Sequence, residues 1–458
     1  MPPRPFPPLP PLAVDLTRAV REAGGRALIV GGWVRDAWLG HASKDVDIEV
    51  YGLDVASLRQ VLERLGSVNA VGESFTVFKV ESLDVSLPRR ESKVGRGHRG
   101  FEVVGDPHMS PDEAARRRDF TINAVAWDPL DDTIVDPFAG LDDLARGVLR
   151  MVDQRTFADD SLRVLRALQF SARFGLSLEA GTADACRTIA LDDLPRERVW
   201  GEIEKLLIKA PRPSMGWALG LDLGVVEQLF PECQALVGCP QEPEWHPEGD
   251  VWVHTLMVVD EMRARIDDLP RPQQCTLMLA ALAHDFGKPA TTALIDGRIR
   301  SLGHEEAGVE PAERFLDRLL VHTMDGYDVR QQVCGLVAHH LKPGAWHKAP
   351  QAVGDGAFRR LALKVDLELL ARLSDADCNG RTGTFDCTAG RWFLERARAL
   401  GVQHSGPAPL MLGRHVLALG VAPGRRVGEV LAHVYERQLD GTIRSLDDAI
   451  AAARVFLA

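Results

Sequence analysis

Apolar residues alternate with polar ones in short stretches over the first third of the chain, then change to helical spacing for most of the remainder. "ALIVGG" (27–32), "DVDIEVYG" (45–52), "TVFKVES" (76–82), "LDVSLP" (83–88) and "FTINAVAWD" (120–128) read as strands. Residues 13–24 read as one helix, and "ADDSLRVLRALQFSARFG" and "RERVWGEIEKLLIKA" carry the 3.6 period. "VGCPQEPEWHPEGD" (237–250), rich in proline and glycine, reads as a linker or surface loop, with helices resuming at 251. The pattern predicts a small α/β head followed by a long all-helical body. Its expected divisions are an N-terminal arm and helix (1–26), the head (27–150), a helical neck (151–236), the linker, a helical domain (251–380) and a helical tail (381–458).

The composition narrows the class. The 458 residues carry a formal net charge of -11, so bulk charge does not announce a nucleic-acid partner. A local patch does exist: residues 116–173 hold many arginines and no lysine, the residue choice for planar contacts to phosphates and bases. No apolar run approaches a membrane span, and the seven cysteines contain no CxxC pair. A cytoplasmic protein with reduced thiols, no disulfide framework and no zinc ribbon is expected. The opening "MPPRPFPPLPPLAVD" is expected to form an extended, mobile arm.

Candidate chemistry begins at "GGWVRDAWLGHASKDVDIEVYG" (31–52). On a strand, Asp45, Asp47 and Glu49 share one face while Val46, Ile48 and Val50 share the other. Carboxylates two residues apart project in parallel and can hold magnesium, which takes its remaining ligands from water and substrate phosphates. Such ions activate an attacking hydroxyl and stabilise a leaving pyrophosphate. Gly31 and Gly32 let the backbone approach a triphosphate. Asp84 is either a third carboxylate from a neighbouring strand or an ordinary strand-end aspartate.

The run G-G-x-V-R-D, eight residues, D-x-D resembles the signature of class II tRNA nucleotidyltransferases and bacterial poly(A) polymerases, within the polymerase-β-like nucleotidyltransferase superfamily. "RRDFTINA" resembles that family's ribose-recognising motif, here Arg117, Arg118, Asp119 and Asn123. Asp136, Gly140 and Arg150 match its flexible spring, and Arg198 with Glu202 its last neck motif. "DDSLRVLRALQFSARFG" resembles the E-D-x-x-R helix, with Asp159 in place of the glutamate. The resemblance implies a nucleotide site of Gly31, Gly32, Arg35, Arg118, Asp119, Asn123, Asp160, Arg163 and Arg166, with Asp45 and Asp47 as catalytic magnesium ligands. Asp160 and Arg163, if three apart on one helix face, offer an acceptor and a donor. That pair suits the amine and ring nitrogen of cytosine or adenine and refuses uracil and guanine. The alternative is an ion pair on a helix surface.

The body holds a second constellation. "VWVHTLMVVDEM" carries His254, "LMLAALAHDFGK" the pair His284-Asp285 and "SDADCNGRTG" Asp377. Imidazoles with carboxylates suit a transition metal such as Ni2+ or Mn2+, or Mg2+. His304 and His340 are candidates for a second metal position, while His246 and His339 are expected to be structural. The pattern resembles the HD phosphohydrolase domain, in particular the HD-bearing branch of bacterial CCA-adding enzymes, which implies phosphatase and 2′,3′-cyclic phosphodiesterase activity. The expected function is therefore template-independent addition of CCA to the tRNA 3′ acceptor end from CTP and ATP, with no membrane partner. Poly(A) polymerase, CC-only or A-only addition, and an HD phosphohydrolase with an RNA-binding head are the alternatives. Arg89-x-Glu91, in "PRRESKVGRGHRGF", resembles the flexible loop of full CCA enzymes and favours complete addition.

Overall fold

The computed structural model describes residues 6–42, 45–71, 77–93 and 101–458, with backbone alone at 70, 71, 91–93 and 101–103. It divides into two compact units, Met1–Leu206 with Asp222–Gln228, and Leu207–Leu221 with Leu229–Ala458.

The first unit opens with helix α1 (Pro11–Glu22), strand β1 (Arg26–Val30), α2 (Gly32–Trp38), β2 (Val46–Tyr51) and α3 (Val55–Glu63). There follow β3 (Val68–Val71), β4 (Val77–Val80), β5 (Leu83–Ser86), β6 (Arg89–Lys93), β7 (Phe101–Gly105), α4 (Pro111–Arg116), β8 (Ala126–Asp128) and β9 (Thr133–Val135). Seven strands make one sheet in the order β3-β4-β5-β2-β1-β8-β9, and β6 and β7 form a separate hairpin. β2 is therefore central, antiparallel to β1 and parallel to β5. Its alternation works as the sequence predicts: Val46, Ile48 and Val50 enter a core with Leu16 and Val20 of α1 and Leu58 and Leu62 of α3. The opposite face carries Asp47 and Glu49.

The N-terminal arm differs from expectation. From Phe6 onward it is packed: the Phe6 ring lies 4.6 Å from that of Trp127 and 6.1 Å from that of Trp33. Aromatic burial of this size outweighs the mobility that proline spacing suggests. The β6–β7 hairpin falls partly in a stretch the sequence reads as loop: the β6 segment "RRESK" is polar throughout and so lacks the alternation that marks a half-buried strand.

Helices α5 (Gly140–Arg146), α6 (Gln154–Phe157), α7 (Leu162–Phe174), α8 (Ala180–Thr188) and α9 (Arg196–Lys209) follow the sheet. The carboxylate of Asp136 caps α5 by accepting from the N–H groups of Gly140 (2.7 Å) and Leu141 (3.0 Å). Arg150 closes the motif by pairing with buried Asp143 at 2.8 Å, which also accepts from the Thr121 hydroxyl. Gly140 has no room for a side chain, since a Cβ there would lie 2.1 Å from the Thr121 carbonyl oxygen. Gly140→Ala is accordingly expected to cost about 1–3 kcal/mol through overpacking, read as an earlier urea unfolding transition of the full-length chain. An unchanged transition would remove this account of the motif.

The chain continues with α10 (Pro213–Asp222, in the second unit but for its last residue) and α11 (Val225–Leu229, in the first unit but for its last residue), after which the second unit contains α12 (Pro231–Gln234), α13 (Val251–Arg263) and α14 (Arg271–Ala283). Then come α15 (Lys288–Thr291), the hairpin β10 (Thr292–Ile295) and β11 (Arg298–Ser301), α16 (His304–Ala307), α17 (Val309–Leu319), α18 (Val329–His339), α19 (Lys342–His347), α20 (Asp355–Leu361), α21 (Leu367–Asn379) and α22 (Ala389–Ala399). α23 (Gly413–Ala418), α24 (Arg425–Leu439) and α25 (Leu446–Leu457) close a small core of their own around Val416, Val430 and Ala449. α14 is apolar all round and buried along its last nine residues, Cys275–Ala283, which places His284 and Asp285 at the end of a central helix. Residues 237–250 contain no helix beyond turns, yet Cys239 and Gln241 are buried. Cys378 and Cys387 are joined as a disulfide, whereas the sequence reading expects reduced thiols throughout.

Candidate functional site

In the head, Asp47 sits opposite Val30 on β1 and, on the other side, in register with Asp84 on β5. Neighbouring strands lie about 4.8 Å apart, so two in-register carboxylates share one face. Both line a cleft of about 320 Å³ with Glu49, Arg89, Arg117 and Arg118. Asp45 immediately precedes β2 and is exposed. Desolvation by the surrounding protein raises the Asp47 carboxyl above the ordinary range, and neighbouring Asp84 and Asp45 add to this against the pull of Arg118. A divalent cation is the group that relieves clustered carboxylates. Asp84 accepts from Lys79 at 2.9 Å, so one carboxylate of the cluster already has a cationic partner. Gly31, with φ 68°, has its absent Cβ 2.9 Å from the Arg118 guanidinium and 3.9 Å from Asp47, so any side chain there would project between them.

Glu49 belongs to the acidic stripe but is buried, accepting from Arg117 at 2.6 Å and from the Tyr51 hydroxyl at 2.7 Å. Burial favours its neutral form, but the charges of Arg118 and Arg117 outweigh burial and hold it below the usual carboxylate range. Glu49 thus anchors the arginine pair over the cleft. Its role is invisible in sequence because its arginine partners lie some seventy residues away.

Asp119 and Asn123 are buried, and so is Arg35. Asp119 accepts from Arg166 at 2.6 Å and from Asn123 at 2.9 Å. Asn123 in turn accepts from Arg35, which also pairs with Asp36 at 2.7 Å and lies over the Phe174 ring at 4.5 Å. Arg166 is held a second time by Glu202 at 3.9 Å. The chain Arg35–Asn123–Asp119–Arg166–Glu202 joins α2, the RRD segment, α7 and α9.

The base-selecting pair is arranged differently from expectation. α7 starts at Leu162, so Asp160 is in the turn before the helix and not on its face. Its carboxylate accepts from Arg198 at 2.9 and 3.2 Å. Arg163 donates to the carbonyls of Thr156 at 2.9 Å and Arg117 at 2.7 Å. Arg163 and Asp160 are not bonded to each other through their side chains. Asp159 is half-buried beside them. The loop residues 94–100, and the side chain of Glu91, lie outside the described residues.

In the second unit, His254, His284, Asp285, His304 and His340 converge, all buried. Asp285 is the hub: Oδ2 lies 3.1 Å from His284 Nε2 and 4.0 Å from His254 Nε2, while Oδ1 lies 3.3 Å from His304 Nε2 and 4.0 Å from His340 Nε2. Asp377 lies 3.1 Å from His254 Nε2. The tautomers are set by the backbone. Nδ1 of His284, His304 and His340 faces the carbonyl of Ala281, Ser301 and Val337, at 2.7–2.8 Å. Donation there leaves each Nε2 as a bare lone pair directed inward. His304 Nε2 and His340 Nε2 then face each other at 3.2 Å, which a cation between them would relieve. Both Asp285 oxygens and His284 Nε2 are buried without an aligned hydrogen bond among the described residues, despite their short approaches. Buried polar atoms that converge without hydrogen bonds fit divalent cations, with Asp285 able to bridge two. Burial pushes His340 down to about 3, keeping it neutral and able to ligate.

Sequence reasoning missed two members. Glu248 accepts from His246 Nδ1 at 2.9 Å, and its Oε1 also lies 2.9 Å from His254 Nδ1, which is buried without an aligned hydrogen bond among the described residues. Lys288 lies 2.7 Å from Asp285 and donates to Gln241 at 2.7 Å. The "WHPEGD" run and the lysine four residues after His284 were the available signals. His339 is outside the cluster. A cavity of about 470 Å³ opens onto the cluster, bordered by Trp245, Lys348, Arg381 and the disulfide.

Residues 27–150 match the family described as the Poly A polymerase head domain, and residues 251–378 match the HD domain. Both families imply dependence on divalent metal. The chain is 35% identical over 421 residues to the multifunctional CCA protein of Xanthomonas campestris pv. campestris, covering 88% of this chain and 95% of that one. The multifunctional CCA protein of Acinetobacter baumannii is 34% identical over 374 residues, covering 78% and 85%. Among solved structures, the Bacillus stearothermophilus CCA-adding enzyme in complex with CTP superposes with a TM-score of 0.65 at 20% identity, covering 98% of each chain. The Thermotoga maritima CCA-adding enzyme complexed with tRNA_CCA gives 0.58 at 19%, covering 98% of this chain and 97% of that one. These two share the fold. No helix among the described residues is long and apolar enough to cross a membrane.

Proposed function

The chain belongs to the family of multifunctional CCA proteins, and from that premise we propose that it builds and repairs the 3′ CCA end of tRNA from CTP and ATP, and hydrolyses phosphate esters at a second centre. The observation that carries the first activity is the register of Asp47 with Asp84, beside Asp45, in a cleft rimmed by Arg117 and Arg118. Magnesium held by Asp45 and Asp47 would supply activation of the primer hydroxyl and charge stabilisation for the leaving pyrophosphate. Arg118 would hold the ribose together with Asp119, with Gly31 leaving the space beside its guanidinium open. Asp119 would act on the ribose site through Asn123 and Arg166. The Asp160 carboxylate accepts two bonds from Arg198 and one from the Leu162 N–H, which leaves it a lone pair to accept from an exocyclic amine. Arg163 would donate to the ring nitrogen of the base after leaving one of its two carbonyl partners.

The convergence of buried, hydrogen-bond-deficient ligands on Asp285 supports the second activity. A metal such as Ni2+, Mn2+ or Mg2+ on His254, His284, Asp285 and Asp377, with a second on His304 and His340, would supply an activated water and polarise the phosphate. Lys348 and Arg381 at the cavity mouth would attract the anionic substrate. The domain limits proposed are the head at 27–150, the neck at 151–236, the HD domain at 251–380 and the tail at 381–458, in a cytoplasmic enzyme.

Labelled nucleotide addition to tRNA ending at the discriminator base, at C and at CC, followed by product sequencing, is the direct test. A CCA end from each primer is expected. An oligo(A) product points to the poly(A) polymerase alternative, and a stop at CC or addition only to CC restricts the activity. In the same assay Asp160→Ala is expected to reduce discrimination against UTP by about 10–100-fold, the range of one lost bidentate contact. Unaltered selectivity in a folded variant would remove Asp160 from base choice.

A further inference from the structure

The disulfide has no place in either proposed activity. Cys378 directly follows the metal-site residue Asp377 at the end of α21, and Cys387 stands two residues before α22. Their Cα atoms are 5.6 Å apart, within the ordinary range for a disulfide. Both are half-buried and border the cavity, whereas Cys186, Cys233, Cys239 and Cys275 are buried. The pair is therefore reachable by small thiols.

The bond closes the segment that walls the metal cavity. Within it, Arg381 lies 4.4 Å from the Phe385 ring centroid and donates to the Cys378 carbonyl at 3.3 Å. The N–H of Thr382 donates to Glu248 at 3.3 Å. Glu248 is the carboxylate whose Oε1 lies 2.9 Å from His254 Nδ1. The disulfide is thus one segment removed from a metal ligand's orienting group, and it also holds a cationic side chain at the cavity mouth. The helices themselves do not depend on it: Gly390 of α22 packs so closely on α21 that a Cβ would meet the Asp375 carboxylate at 2.0 Å. Opening the bond should release the segment and leave the helix pair in place.

We propose that Cys378 and Cys387 form a thiol–disulfide switch that sets substrate and metal affinity at the HD centre, a proposal that rests on the phosphohydrolase reading of that centre. The partner is a low-molecular-weight disulfide such as oxidised glutathione. One cysteine thiolate attacks it, forming a mixed disulfide and expelling one small thiolate. The second cysteine thiolate attacks the protein sulfur of that mixed disulfide and expels the second small thiolate. Two electrons and two protons pass from the cysteine pair to the small disulfide, which becomes two thiols. The oxidised form holds Arg381 and Glu248 in place, and the reduced form loosens both.

The test uses the full-length protein equilibrated in glutathione buffers of graded ratio. Differential alkylation with mass spectrometry reads the pair, p-nitrophenyl phosphate release reads KM, and Mn2+ titration reads metal affinity. Reduction is expected to raise KM and the Mn2+ Kd about threefold or more, the effect of lost pre-organisation. The Cys378→Ser/Cys387→Ser double variant should match the reduced protein and ignore the buffer. Nucleotide addition should not respond in either protein. A pair that stays reduced in every buffer overturns the proposal, as does an equal redox response in the double variant. If the protein releases no phosphate in any state, the phosphohydrolase reading fails. The switch is then decided by Mn2+ affinity, where a redox-dependent Kd supports it and a constant Kd overturns it.

Discussion

Asp47→Ala is expected to lower nucleotide addition by about three orders of magnitude and to leave phosphate release unchanged. The size follows from position. Asp47 is the one acid of its stripe that lies on β2, lines the cleft and reaches open space, since Glu49 is committed to Arg117 and Tyr51. Asp84 cannot substitute for it, because it sits on the next strand and already pairs with Lys79. The strand itself should survive, because the apolar side of β2 is untouched and removing a desolvated carboxylate relieves the repulsion that raises it. Single-turnover incorporation of labelled CTP and ATP, run beside phosphate release on the same preparation, checks both halves. Loss of both activities from a folded variant would mean that the two centres are not independent.

The complementary expectation concerns Asp285. Asp285→Asn should reduce phosphate release by about a thousandfold or more while addition to tRNA persists, because an amide keeps the shape but not the charge that gathers the cations. His254, His284, Lys288, His304 and His340 all lie within 4.0 Å of this carboxylate. Burial opposes its ionisation, but the charge of Lys288 at 2.7 Å helps hold it well below the usual carboxylate range. The variant should also bind less Mn2+ by titration. Retained phosphate release would move the hydrolytic centre elsewhere.

The two centres were unequally legible. The alternation in "DVDIEV" fixed the acidic face without any structure, because a strand's period is two whatever it packs against. His254, the His284-Asp285 pair and Asp377 could be listed as a constellation, and the structure brings them together. His304 and His340 could be named only as candidates for a second metal position, since only the fold turns both Nε2 atoms onto one carboxylate oxygen. Long-range partners were the general blind spot. Glu49 shares a strand face with Asp45 and Asp47 in the sequence but serves as an arginine anchor, and Asp160 reads as Arg163's neighbour yet binds Arg198. Periodicity reports which face a residue is on, not which distant element will cover that face. The packed arm at Phe6 and the Cys378–Cys387 pair were missed for the same reason.

β2 is paired along both edges, with β1 on one side and β5 on the other. Its amides can therefore exchange with solvent only when the sheet opens as a whole, and not by fraying from a rim. Asp47 consequently keeps its spacing to Asp84, and a substrate that reshapes the cleft must do so by moving the arginines and not the acids.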